Sequence, residues 1–186
     1  MISVFIGGSR HISQLNDSIR TRIQNIIDQN YIVLVGDANG SDKLVQGLLA
    51  NTHYDHVVVY CAGEACRNNL GNWTTNHVDA FSKTNDFQFY AIKDKEMAKK
   101  ADYGFMLWDG KSAGTLNNIL NLLRLQKRIL VYFSPEKLFV NVSTLSDLKD
   151  LLLKCDPMEM RKIDSKIHLK QSMATMASPE QVSLSI

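Results

Sequence analysis

Short apolar segments that end in glycine or aspartate alternate with longer amphipathic segments along most of the chain, and this alternation constrains the fold more than any other feature. The apolar segments are rich in β-branched and aromatic residues, which is typical of buried strands. In the amphipathic segments apolar side chains recur every three or four residues, which indicates helices with one buried face. The sequence therefore predicts an α/β fold: a Rossmann-like doubly wound, mainly parallel sheet with helices on both faces.

The loops that follow the strands of such a sheet share one edge, because crossover connections are right-handed, and ligands bind at that edge. Ser41 is the predicted N-cap of the second helix, and residues 62–76 are predicted to form an irregular polar loop. The predicted strands span residues 3–6, 31–35, 56–60, 87–92, 103–108 and 128–133. The predicted helices span residues 14–29, 41–51, 75–83, 93–100, 114–126 and 145–153.

The character of the chain changes near residue 155, which divides it into two predicted parts. Residues 1–155 are predicted to form the Rossmann-like domain. In residues 156–186 four methionines are scattered among polar residues without a clear period, so we expect either a mobile end or an arm that contacts another copy of the chain. We expect a homodimer or a higher homo-oligomer.

Charge and cysteine content exclude several classes of function. The chain has 21 basic and 19 acidic residues and a net charge of +2, so a face-wide basic surface for nucleic acid is not expected. It has no apolar run of membrane-spanning length and no signal-peptide pattern, and we expect a cytoplasmic protein without a membrane partner. Cys61, Cys66 and Cys155 lack metal-binding spacing and fit a reducing compartment, so we expect free thiols, no metal and no cofactor.

Three loops that follow predicted strands carry residues suited to phosphate binding. Glycines allow backbone N–H groups to approach an anion, hydroxyls add donors, and arginine offers a planar fork for phosphate. Two of the loops also open a predicted helix, whose N-terminal N–H groups attract negative charge. Each loop alone also fits an ordinary turn, but three on one edge favour a ligand site. The predicted ligand-binding residues are Gly7, Gly8, Ser9 and Arg10; Gly36, Asp37, Gly40, Ser41 and Asp42; and Asp109, Gly110, Lys111, Ser112, Gly114 and Thr115.

Three carboxylates in these loops are candidates for catalysis. Asp37, Asp42 and Asp109 have the chemistry to bind ribose hydroxyls or to act as acid and base, although Asp37 also fits a local turn and Asp42 a helix N-terminal charge. Residues 110–112 (GKS) look like the end of a Walker A loop. That motif requires glycine where Phe105 stands within a strand, so a P-loop ATPase is excluded.

These loops, in this order, resemble the SLOG superfamily, which is named from the DNA-processing Smf/DprA proteins and the LOG nucleotide hydrolases. Within it the chain looks most similar to the cpYpsA-related group of bacteria and their mobile elements. The resemblance covers about residues 1–133. It is carried by residues 7–10 (GGSR), 36–42 (GDANGSD), Lys93, Asp94, Met97 and 109–115 (DGKSAGT).

The resemblance implies a Rossmann-like sheet that binds nucleotides or nucleotide-derived ligands. Some members of the family cleave N-glycosidic bonds, whereas others sense ligands or bind DNA, and residues 101–115 also look like the nucleoside deoxyribosyltransferases. The hydrolases and transferases carry a glutamate two or three residues after the Gly-Thr pair. Here Asn117 and Asn118 stand at those positions, and an amide does not ionise to stabilise an oxocarbenium-like sugar.

We therefore expect a binding or sensing protein for a nucleoside phosphate, ADP-ribose or a cyclic nucleotide. The alternative is an N-glycoside hydrolase or transferase in which Asp37, Asp42, Asp94 or Asp109 replaces the glutamate. DNA binding, as in the Smf branch, is a third hypothesis, and the near-neutral charge counts against it.

The loop after the third predicted strand has two interpretations. It follows onto the same edge, so Trp73 has the chemistry to stack on a base while Arg67 lies near a phosphate. The alternative, which we prefer, is a surface loop pinned by a partly buried Trp73. Trp108 closes a strand, and we expect it to form core or the wall of a pocket.

Overall fold

The computed structural model describes residues 1–78 and 87–177, which contain seven strands and seven helices. The strands are β1 (Ser3–Gly8), β2 (Ile32–Gly36), β3 (Val57–Ala62), β4 (Thr74–Val78), β5 (Tyr103–Trp108), β6 (Arg128–Phe133) and β7 (Leu138–Val142). The helices are α1 (Asp17–Asp28), α2 (Ser41–Asn51), α3 (Phe87–Lys100), α4 (Ala113–Arg124), α5 (Leu145–Leu152), α6 (Pro157–Ile167) and α7 (Leu169–Ala177).

All seven strands form one sheet in the order β4-β3-β2-β1-β5-β6-β7. Every neighbouring pair is parallel except β6 and β7, which form an antiparallel hairpin. Helices pack on both faces, so the predicted Rossmann-like α/β fold is confirmed. The chain leaves β1 towards β2 and returns on the other side of β1 at β5. Such a reversal of strand order opens a crevice at the carboxyl ends of the two strands, where ligands bind in open α/β sheets.

Two hydrophobic clusters hold the sheet between its helices. On one face α1 and α2 contribute buried residues such as Ile19, Ile23 and Leu49. On the other face the helices from α3 to α7 pack together, with Leu116 and Ile163 among their buried residues. All of these side chains are at most 2 % exposed, so the two clusters anchor the strand ends and the loops that follow them.

The predicted strand at residues 87–92 is wrong, because these residues form the first turns of α3. The aromatic residues of this segment favour strands as isolated residues. In the fold, Ala91 and Met97 are buried on one face of a helix that packs on β2, β3 and β4, and this tertiary packing overrides the local preference.

Two strands at the sheet edges were not predicted. A helix was expected at residues 75–83, but residues 74–78 form β4, and residues 79–83 lie outside the described part of the chain. The first four residues of β4 are exposed, so their side chains carry no buried pattern. The other edge strand, β7, is short and pairs antiparallel with β6.

The first two loops start from different positions than predicted. Gly7 and Gly8 continue β1 instead of ending it at Ile6. The N-cap of α2 is Gly40 (φ +78°), and the predicted cap, Ser41, is the first residue of the helix. The hydroxyl of Ser41 is used for a contact with Ser9 in the neighbouring loop, and a glycine suits the positive φ angle at residue 40.

The segment after residue 155 continues into the core. It forms α6 and α7, and Ile163 and Leu169 are buried in the same cluster as α4 and α5. Asp156 caps α6 by accepting hydrogen bonds from the backbone of Met158 and Glu159. Residues 157–177 are therefore packed helices, while a role as an oligomer-contact arm stays a prediction.

The expectation of three free thiols is corrected by a disulfide. Cys61, at the end of β3, is bonded to Cys66 in the loop that follows, whereas Cys155 is free. The two bonded cysteines are five residues apart, and the turn between them brings their Cα atoms to 5.1 Å. The spacing of the cysteines along the chain did not indicate this bond, because the geometry of the loop sets the distance between the two residues.

No helix within residues 1–78 and 87–177 is long and apolar enough to cross a membrane.

Candidate functional site

Ser9, directly after β1, connects all three loops that were predicted to bind a ligand. The carbonyl of Ser9 accepts two hydrogen bonds from Ser41, one from the backbone N–H (3.2 Å) and one from the side-chain hydroxyl (2.7 Å). Its own hydroxyl donates to the carboxylate of Asp109 at 2.7 Å. Ser9 is fully buried, so the hydrogen bonds are protected from water and fix the positions of the loops after β1, β2 and β5.

Asp109 organises the loop between β5 and α4. One carboxylate oxygen accepts the backbone N–H groups of Lys111 and Ser112 at 3.0 and 2.8 Å, and the other accepts from Ser9 and lies 3.1 Å from Nδ1 of His11. Burial alone would raise the pKa of Asp109, but these hydrogen bonds outweigh it and hold the pKa below its ordinary value. Asp109 is therefore an ionised group that builds the loop from behind and does not line the cavity described below.

Asp37 is paired with Arg67. The guanidinium of Arg67 donates to both carboxylate oxygens, at 3.0 and 2.6 Å, and its backbone N–H donates at 3.0 Å. Burial would raise the pKa of Asp37, but the hydrogen bonds from Arg67 and the charge of Lys93 lower it. The pair ties the loop after β3 to the loop after β2, because Asn68 also donates to the backbone carbonyl of Asp37 at 2.7 Å.

A buried lysine lies at the centre of the acidic residues. Nζ of Lys93, on α3, is 2.9 Å from Asp94 and 3.8 Å from Asp37. Burial would lower the pKa of Lys93, but the carboxylates of Asp94, Asp42 and Asp37 raise it, so the lysine is a cation. Its ammonium fits against Gly36, where a Cβ atom would stand 2.5 Å from Nζ and 2.4 Å from Oδ2 of Asp42.

Asp42 differs from the other carboxylates because its pKa is raised, to about 6. The main cause is burial, which outweighs the charge of Lys93, and the nearby Asp94 and Asp37 add to the rise. Among the described residues, its carboxylate accepts one hydrogen bond, from the backbone N–H of Ala38 at 3.2 Å. Asp42 is only 7 % exposed, yet it lines the cavity.

These loops and α3 surround a cavity of about 420 Å³ at the carboxyl ends of β1 and β5, which we call the strand-end cavity. Its described lining contains more basic than acidic side chains. The acidic ones are Asp42 and Asp94. The basic ones, besides His11, are Arg10, Arg67, Lys93, Lys111 and Lys166.

The N-terminus of α4 adds donors to this cavity. Ser112 is the N-cap, and its hydroxyl accepts from the backbone N–H of Thr115 at 3.2 Å. Within the described residues, the backbone N–H groups of Ala113 and Gly114 have no acceptor, and both residues line the cavity. Such N–H groups at the positive end of a helix dipole bind anions.

Aromatic rings form one wall of the cavity. Phe87 and Tyr90, on α3, both line it. The guanidinium carbon of Arg67 lies 4.4 Å from the centre of the Tyr90 ring, and that of Arg10 lies 5.6 Å from it. The wall therefore combines an aromatic surface with two planar cations, an arrangement that stacks well with nucleic-acid bases.

The structure brings most of the predicted ligand-binding residues to the cavity. Those in its lining are Gly7, Gly8, Ser9, Arg10, Asp42, Lys111, Ser112, Gly114 and Thr115. Those that support it from behind are Gly36, Asp37, Gly40, Ser41, Asp109 and Gly110. Catalytic roles for the three aspartates were predicted and are not tested by this placement. Asn118 lines the cavity where the resemblance leads one to expect a glutamate.

Some lining residues were not predicted. Phe87 and Tyr90 were assigned to a strand, and Lys166 to the tail, so neither local pattern placed them at the site. Arg67 was considered near a phosphate, and it does line the cavity. Trp73 is buried and donates from Nε1 to the carbonyl of Tyr54, so it pins the loop, as the preferred interpretation expected, and is buried more deeply than that interpretation had it.

Within the described ranges, no group of three or more His, Cys, Asp or Glu side chains is placed to hold a metal ion.

No family model matches the chain, and no curated protein matches it in sequence. A solved structure does match: DNA processing protein A from Helicobacter pylori, which was described for its single-stranded DNA binding mode. It is similar over 91 % of this chain and 81 % of that chain, with a TM-score of 0.55 and 15 % sequence identity. The match shows a shared fold. It supports the resemblance to the superfamily named from Smf/DprA at the level of the fold, and the closer placement in the cpYpsA-related group stays a prediction.

This comparison corrects two expectations. A nucleotide or nucleotide-derived small molecule was expected as ligand, with N-glycoside cleavage as the alternative, and nucleic acid was set aside as a partner. The protein that the fold matches binds single-stranded DNA. Net charge describes the whole surface and does not reveal the local clustering of basic residues around one cavity.

Proposed function

We propose that the chain binds single-stranded DNA through the strand-end cavity. The observation that carries this proposal is the combination, in one cavity, of five Lys or Arg side chains with the aromatic rings of Phe87 and Tyr90. Proteins that bind single strands combine basic grooves that follow the phosphates with flat surfaces on which bases stack. The known function of the structurally similar protein supports the same class of ligand.

The contacts divide by chemistry. Arg10 and Lys111 are exposed at the rim, where their charges meet phosphates, and the N–H groups at the start of α4 donate to a further phosphate oxygen. A base stacks against the wall formed by Tyr90 and Arg10. The ion pair of Arg67 with Asp37 and the buried Lys93 hold this wall in position and contribute little to the salt dependence of binding.

Fluorescence anisotropy with a labelled deoxythymidine oligomer tests the proposal. We expect binding to the single strand that weakens as salt rises, weaker binding to a duplex of the same length, and no competition by free nucleoside monophosphates at concentrations that saturate a nucleotide pocket. Equal affinity for duplex and single strand would contradict the stacking wall. Displacement of the oligomer by stoichiometric mononucleotide would contradict the choice of DNA as ligand.

A further inference from the structure

On one face of the sheet, helices cover only part of the strands. Within the described residues, the helices that follow β4 contribute their buried side chains to the opposite face, and α1 and α2 alone cover this one. The reason is topological: after β6 the chain turns back through a hairpin into β7 instead of crossing over through a helix. The strands β5, β6 and β7 therefore expose part of this face beside α1.

A cavity of about 720 Å³ lies there, between α1 and these three strands, and we call it the sheet-face groove. Tyr103 and Arg128 begin β5 and β6, so the groove lies towards the amino ends of the parallel strands. The strand-end cavity lies at their carboxyl ends, so the two sites are at opposite edges of the sheet and share no lining residue.

The charges of the groove have one sign. Arg22 from α1 and Arg128 from β6 line it, and no aspartate or glutamate appears among its described lining residues. Neither arginine forms an ion pair or a side-chain hydrogen bond to another described residue. The guanidinium of Arg22 lies over the ring of Phe139, 5.2 Å from its centre. Two uncompensated, planar cations thus face the groove.

Most of the remaining lining is aromatic, apolar or amide. Tyr103 is 39 % exposed, although it stands in a strand, and half-buried Tyr31 and Leu130 also line the groove. Asn25, Gln29 and Asn141 add side-chain amides, which donate to and accept from base edges. An exposed ring on a sheet face, flanked by cations and amides, is how several single-strand-binding domains hold bases.

The geometry points to a second binding site for single-stranded nucleic acid in the sheet-face groove, with Arg22 and Arg128 on phosphates and a base stacked on Tyr103. The other candidate occupant is a second copy of the chain. A two-fold contact through this face would bring the arginines of both copies together without a carboxylate in the groove to compensate them, so the charges favour a polyanion. The inference extends the proposed function, and it concerns a surface that the strand-end cavity does not use.

Stoichiometry with short oligomers distinguishes the two sites. The probe is a labelled deoxythymidine trimer, which is shorter than the six-residue strand β5 that separates the two edges of the sheet. We expect the wild-type protein to bind two equivalents and the double variant Arg22→Ala, Arg128→Ala to bind one. The double variant Lys95→Ala, Lys149→Ala is the charge-matched control, because both lysines are exposed and line neither site, and it should bind two.

For a longer oligomer we expect the Arg22→Ala, Arg128→Ala protein to lose about 1.4 from the slope of log Kd against log salt, the value for two phosphate contacts on a single strand. Photocrosslinking with 5-iododeoxyuridine should label Tyr103 in the wild type. Circular dichroism and urea unfolding show whether each variant keeps the fold.

Each outcome decides one of the two proposals. One equivalent in the wild type, lost on substitution of Arg10 and Lys111 but unaffected by the groove variant, would overturn the second site and leave the strand-end proposal intact. One equivalent lost only in the groove variant would overturn the strand-end proposal instead. A wild-type dimer that the groove variant converts to monomers would assign the groove to a second copy and overturn the inference.

Discussion

Asp42 places a buried carboxylate with an unusual pKa on the wall of a cavity that we propose for a polyanion. Its pKa is raised to about 6, above the ordinary value for aspartate, so the folded protein holds a proton there at mildly acidic pH that an exposed aspartate would release. The charged groups that face it are Lys93 and Asp94 on α3, Asp37 after β2 and Arg67 after β3. Protonation removes one negative charge from the lining.

We therefore predict that affinity for single-stranded DNA rises as pH falls from 7.5 to 5.5. Asp42→Asn keeps an acceptor for the Ala38 N–H and removes the charge, so at pH 7.5 it should bind about fivefold tighter, or about 1 kcal/mol, and lose this part of the pH dependence. Anisotropy titrations at both pH values measure the effect. An Asp42→Asn protein that is folded but retains the full pH dependence would assign it to another group.

At this scale the sequence predicts which loop residues approach the site but not what they do. Glycines, hydroxyls and a helix N-terminus leave local patterns, so residues 7–10 and 109–115 were predicted to meet at one edge of the sheet, which is the edge that holds the strand-end cavity. The partner of Asp37 could not be predicted from the sequence, because Arg67 is 30 residues away and its loop has no periodicity. The opposite pKa shifts of Asp37 and Asp42 follow from three-dimensional neighbours that no spacing encodes.

Among the elements, the loop after β3 contributes Arg67 to the cavity lining. The Cys61–Cys66 disulfide fixes its start, and the next residue, Arg67, pairs with Asp37 and lies over Tyr90. We therefore expect Arg67 to keep its position over Tyr90 only while the disulfide fixes the first turn of the loop.

We predict that Cys66→Ser, or reduction of the wild type with dithiothreitol, weakens binding of single-stranded DNA by roughly fivefold, the effect of one ion contact of about 1 kcal/mol. The free energy of unfolding should fall by about 2 kcal/mol, the value expected for opening a short closed loop. Cys155→Ser is the control, because Cys155 is free and lies outside the cavity lining. Equal affinity of the oxidised and reduced proteins would show that the disulfide does not position Arg67.

The elements that were predicted incorrectly are those whose packing in the fold differs from what their residue composition suggests. The aromatic residues 87–92 have high strand propensity, yet α3 packs on the sheet as a helix. The exposed edge strand β4 carries threonine and asparagine without alternating burial. Central strands such as β5 were predicted correctly, because a strand buried on both faces leaves a continuous apolar run.

At the scale of the whole molecule, α6 joins the tail to both the core and the site. Ile163 is 2 % exposed in the main hydrophobic cluster, and Lys166, one turn later, lines the strand-end cavity. The doubly wound sheet follows from the alternation in the sequence, whereas the packing of this segment depends on contacts between residues far apart in the chain.

We predict that Ile163→Ala lowers the free energy of unfolding by about 3 kcal/mol, because it removes a buried side chain and leaves a cavity. Met158→Ala on the same helix is the matched control, since Met158 is 66 % exposed, and it should change stability by less than about 0.5 kcal/mol. Urea unfolding followed by circular dichroism gives both values. Equal, small effects would mean that α6 does not pack on the core in solution.

The salt dependence of single-stranded DNA binding by the Arg10→Ala, Lys111→Ala protein tests the central claim most directly. Both side chains are exposed in the lining of the strand-end cavity. We predict weaker binding than in the wild type and a slope of log Kd against log salt that is smaller by about 1.4, with the Lys95→Ala, Lys149→Ala control unchanged. A folded Arg10→Ala, Lys111→Ala protein with wild-type affinity and slope would show that DNA does not bind at this cavity.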